Sequence, residues 1–70
     1  MITATMAVRA EIAAARAKIA VKMGIAANKS ATLNELARRL GVSPRTVSNW
    51  LQGRNAPSGP AMRLLSEINK

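Results

Sequence analysis

The tightest constraint in this sequence is the stretch from Thr32 to Gln52, where two short helical patterns are separated by only Gly41-Val42-Ser43. Thr32-Leu33-Asn34-Glu35 reads as a capping box, with the Thr hydroxyl capping and the Glu at the third helical position reaching back. The helix it opens, over about 33–40, turns Leu33, Leu36, Ala37 and Leu40 to one side. Ser43 then reads as an N-cap and Pro44 as the first residue of the next helix, where its missing N–H is harmless. Two helices so closely joined cannot run parallel and must cross steeply. A steep crossing brings the backbones together, so it needs a small residue, and Ala37 supplies it. It also needs a positive φ in the turn, which Gly41 tolerates.

Ala37, Gly41 and Val47 at this spacing, with a cap between them and two matching apolar faces, form the pattern of a helix-turn-helix. The helix over about 44–52 sorts cleanly by angle at roughly 100° per residue. Val47, Trp50 and Leu51 fall on one side, so the single Trp is core. Arg45, Asn49 and Gln52 fall on the other, with Ser48 and Thr46 on its two shoulders. Arg pairs with guanine O6/N7, and Asn or Gln with adenine N6/N7. A helix displaying these groups from its first two turns suits a DNA major groove. The competing account is a merely polar surface face, which leaves the turn motif unexplained.

Helical periodicity accounts for most of the remaining chain. Over about 5–23, Val8, Ile12, Ala15, Ile19 and Met23 make an apolar stripe, and Gly24 reads as its stop. Residues 25–31 read as a loop. Gly53 ends the third helix. Ser58 reads as the cap of a fourth, over about 59–69, with Ala61, Leu64, Leu65 and Ile68 inward. The expected fold is therefore all-α, a compact domain of four helices (five at most) spanning residues 1–70.

Charge narrows the partner. Eleven Lys and Arg against three carboxylates give a net charge of +8, which favours a polyanion. There is no Cys and no His, which removes thiolate and imidazole metal sites and the common nucleophile systems. No enzymatic activity, metal or cofactor is expected. No apolar run approaches the roughly 20 residues that span a bilayer, so no membrane role is expected. The Ala-rich basic start looks superficially like an organelle presequence, but removing it would leave too little chain to bury a core.

Not every cation reads as a DNA contact. Glu35 lies four residues before Arg39, so Arg38 and Arg39 read as a solvated, paired helix face, and Arg63 with Glu67 likewise. The candidates for phosphate contact are Arg54 and Asn55 after the third helix, with Lys22, Lys29, Thr32, Ser43 and Ser58 at helix ends and in loops. For Thr32, Ser43 and Ser58 capping is the leading role.

From Thr32 to Ile68, "TLNELARRLGVSPRTVSNWLQGRNAPSGPAMRLLSEI" resembles the Cro/lambda-repressor-like (XRE) helix-turn-helix family. Its later part is similar to the branch of antitoxins and small phage or mobile-element regulators. The resemblance implies a homodimer that places its third helix in the major groove of a two-fold symmetric operator. It differs in carrying Leu33 where the family often has Gln, and in a longer connection between the first two helices. The expected function is a sequence-specific, double-stranded-DNA-binding transcriptional regulator, a repressor, acting in a bacterial or phage-infected cytoplasm at the nucleoid. The alternative is an antitoxin or anti-regulator whose main role is to bind a protein partner such as a toxin.

Overall fold

A computed structural model describes residues 4–70; residues 1–3, which fall inside the expected domain, lie outside the described residues. The chain forms α1 (Ala4–Met23), α2 (Ser30–Leu40), α3 (Pro44–Leu51) and α4 (Gly59–Ile68), with no strand among the described residues. The radius of gyration is 11.1 Å, about that of a fully collapsed chain of this length. α1 is the organising rod: its twenty residues span about 30 Å at 1.5 Å per residue, and it packs against each of the other three helices.

Local chemistry explains the breaks. α1 and α2 both end on a glycine with positive φ, Gly24 at 69° and Gly41 at 73°. At Gly41 the Val42 N–H reaches back to the Ala37 carbonyl at 3.0 Å and the Gly41 N–H to Arg38 at 3.2 Å. These bonds satisfy carbonyls that the helix end leaves unpaired. Two residues after Gly41, Ser43, extended at ψ 155°, accepts the Thr46 N–H at 3.2 Å and opens α3 with Pro44 in its first turn. Ser58 opens α4 in the same way through the Ala61 N–H at 3.3 Å.

One core joins all four helices. Ile12, Ala15 and Ile19 from α1 meet Leu36, Ala37 and Leu40 from α2, Val47 and Trp50 from α3, and Ala61 and Leu65 from α4. Ala37 is fully buried, as a close crossing of α2 over its neighbours demands. Each large aliphatic side chain here stabilises by roughly 1.5–3 kcal/mol relative to exposure, and the only aromatic residue, Trp50, is spent on this core. Two inward positions are corrected. Met23 and Leu64 are exposed, each at 42%. For α1, Ala20 is buried instead of Met23, because the stripe drifts around a straight helix and α4 covers only part of it.

The start of α2 also departs from expectation. The helix begins at Ser30, three residues before the expected position, and its N-cap is Lys29 with no side-chain cap. Thr32 is inside the helix and completely buried. Its hydroxyl proton faces the carbonyls of Ala27 and Lys29, both at 2.7 Å, and its oxygen accepts from Arg16 Nε at 2.9 Å. There is no capping box, because Glu35 is turned the other way, toward Arg38 and Arg39. The carboxyl of Glu35 is lowered to about 2, first by its hydrogen bonds to Arg38 and then to Arg39. Glu67 pairs with Lys70 at 3.0 Å and not with Arg63.

Candidate nucleic-acid interface

α3 is short, and its two faces are sharply different. Val47 is fully buried and Trp50 is 4% exposed, so two anchors one turn apart hold the helix to α1 and α2. With that inner face pinned, rotation about the helix axis is not free, and the outward residues point in one defined direction. Arg45 and Gln52 are exposed, while Thr46, Ser48 and Asn49 are half-buried on the shoulders. Four of the five expected base readers thus occur on one short helix and the fifth, Gln52, is its C-cap, all outside the anchoring seam.

Their engagement differs. Thr46 Oγ1 lies 2.9 Å from the capping Ser43 Oγ, and Gln52 Nε2 donates to Ser48 Oγ at 3.1 Å. These four polar groups are pre-oriented by one another. The Arg45 and Asn49 side chains make no hydrogen bond or ion pair among the described residues. A guanidinium and an amide left without partners on the outer face of a helix retain their full donor and acceptor capacity for a ligand. Arg38 and Arg39 are the opposite case, held by Glu35 at the surface of α2.

The seven expected phosphate contacts fall into five settings. Arg54 and Asn55 are exposed in the turn after α3, where the Arg54 N–H closes on the Asn49 carbonyl at 3.0 Å. Lys29 is exposed at the uncapped amino end of α2. Ser43 and Ser58 are exposed, and both are occupied as N-caps. Lys22 lies apart, on a groove between α1 and α4 to which α3 contributes no side chain. Thr32 is corrected: with 0% exposure and its hydroxyl shared among three partners, it cannot reach a phosphate.

Arg16 is a positioning residue that periodicity did not single out. It donates from Nε to Thr32 and from its terminal nitrogen to the Lys29 carbonyl at 3.0 Å. It therefore ties α1 to the amino end of α2 and to the Lys29 corner. The signal was a cation placed on the apolar stripe itself, four residues after Ile12 and three before Ile19. No helix among the described residues is long and apolar enough to cross a membrane, and no group of His, Cys, Asp or Glu among them could hold a metal ion.

Comparison with known families gives one match. A family model described as helix-turn-helix covers residues 26–69, well over half of the chain and including α2, α3 and α4. No curated protein and no solved structure gives a match.

Proposed function

The chain belongs to the helix-turn-helix family, a family of DNA-binding transcription regulators, and from that premise we propose that it is a repressor reading a two-fold symmetric operator through the major groove. The observation that carries the reading is the pair of unpartnered side chains, Arg45 and Asn49, on a helix locked by Val47 and Trp50. Arg45 reads a guanine and Asn49 an adenine, with Gln52, Thr46 and Ser48 completing the base contacts. Arg54, Asn55 and Lys29 take phosphates, joined by Ser43 and Ser58 through their cap regions; such contacts set register and orientation without carrying sequence information. Residues 1–70 act as one domain, and two copies bind as a homodimer in the cytoplasm of a bacterial or phage-infected host, at the nucleoid, with the gene belonging to a phage or other mobile element.

Selection of bound duplexes from a random pool tests this reading. A symmetric consensus is the expected result, and failure to enrich any sequence would sink it. Arg45→Ala should lose about 1–3 kcal/mol on the selected site and relax preference at a single base pair. Unchanged preference in that variant would remove Arg45 from the readers. The second reading, an antitoxin or anti-regulator for which a protein partner is primary, is favoured by one observation: an open groove with apolar lining to which α3 contributes no side chain.

A further inference from the structure

Between the carboxyl-terminal half of α1 and α4 runs an open groove of about 680 Å³, a volume typical of ligand and peptide sites. Its apolar lining comes from Ile19, Val21, Leu64 and Ile68. Val21 is 81% exposed and Leu64 42%, so apolar surface here remains in water that an ordinary surface would cover with polar groups. Around this lining stand Lys18, Lys22, Arg39 and Lys70, against one carboxylate side chain, Glu67, which is already bound to Lys70. Lys22 makes no hydrogen bond or ion pair among the described residues, while Lys18 Nζ donates to the main-chain oxygen of Lys70 at 2.8 Å and keeps its other two protons for a ligand.

We propose that this groove is a docking site for an acidic, amphipathic segment of a partner protein, with aliphatic side chains against Val21 and Leu64 and carboxylates against Lys18 and Lys22. Charge selects this occupant. A second copy of the chain brings only three carboxylates, of which Glu35 is held by two arginines, and adds a net +8 of its own. A nucleic acid matches the rim and leaves the apolar lining exposed. A segment carrying both carboxylates and aliphatic groups satisfies lining and rim together. The site does not depend on the DNA reading of α3, which adds no side chain to it.

A random-peptide library displayed on phage and panned on the intact chain tests the proposal. Enriched peptides should combine Asp or Glu with Leu, Ile or Phe at helical spacing, and a synthetic copy should bind in solution. Lys18→Glu with Lys22→Glu should weaken that peptide by on the order of tenfold or more, since two attractions worth up to about 1 kcal/mol each become repulsions. The same variant should bind a peptide in which Lys replaces the acidic residues. Val21→Ser with Leu64→Ser, both at exposed positions, should weaken the peptide while leaving far-UV circular dichroism and duplex binding unchanged. No enrichment, enrichment without acidic excess, or binding indifferent to both variants would each overturn the proposal. So would preferential binding of phosphatidylglycerol vesicles or of a second copy at this face, detected by the same variants. Because duplex binding is measured alongside, loss of the peptide site and failure of the DNA reading give separate results.

Discussion

Thr32→Val tests the buried junction between α1 and α2. Valine has nearly the shape of threonine, so the substitution removes a hydroxyl without opening a cavity. What is lost is specific: a donation to the Ala27 and Lys29 carbonyls at 2.7 Å and an acceptance from the Arg16 guanidinium at 2.9 Å. A neutral hydrogen bond contributes about 0.5–1.5 kcal/mol net, and one to a charged group about 1.5–3. Part of this returns, because Arg16 is only half-buried and can rehydrate, and the Lys29 carbonyl keeps the Thr32 N–H at 3.0 Å. The expected net destabilisation is about 2 kcal/mol. For a domain of this size each kcal/mol moves Tm by roughly 4–8 °C, so thermal melts followed by circular dichroism should shift down by about 10 °C. Thr32→Ser is the control: it keeps the hydroxyl and drops one buried methyl, for about 1 kcal/mol. Adding Arg16→Met in a double-mutant cycle should return a coupling of about 1 kcal/mol. A Thr32→Val melt within experimental error of the parent, or a larger loss for Ser than for Val, would refute the assignment of this hydroxyl as the junction.

The turn, the surface charges and the phosphate contacts yield further outcomes. Gly41→Ala should destabilise by about 1–2 kcal/mol in chemical denaturation; a Cβ there meets nothing within 4 Å, so the loss comes from φ 73° alone. Glu35 has a depressed pKa in the folded chain, so its contribution is present above the ordinary carboxylate value of 4.5 and is lost as pH falls toward about 2. Acid titration of stability should therefore show a fall across that window, and Glu35→Gln should flatten it. Arg54→Ala should weaken duplex binding evenly across sequences and lower the slope of log K against log salt by about one; a sequence-dependent effect would instead make Arg54 a base reader.

Much of the architecture can be read from single residues. Gly41, Ser43 and Pro44 impose a stop and a restart within the space of one turn, which leaves α2 and α3 no arrangement except a steep crossing. Ala37, Val47 and Trp50 are buried because their spacing puts them on the inner sides of that crossing. Arg45, Asn49 and Gln52 then face away as a matter of angle. The amino end of α2 was less legible. Thr-x-x-Glu satisfies a local capping rule, yet the buried interaction of Thr32 with Arg16, sixteen residues distant, overrides it, since a polar group sealed from water must find partners wherever they lie. With the hydroxyl turned inward, the helix extends back to Ser30.

Sequence by itself determined that the chain makes four helices, where α1, α2 and α3 stop, and which side of α3 carries Arg45, Asn49 and Gln52, because caps, glycines and helical period act over a few residues. The tertiary structure decided what depends on contacts between helices distant in the chain. It withdrew Thr32 from the surface, gave Arg16 its bracing role, and paired Glu67 with Lys70. It also set how far α4 covers α1. That incomplete cover is why Val21 and Leu64 face water beside Lys18 and Lys22: periodicity places a residue on a face, but only the packing of a second helix determines whether that face is closed.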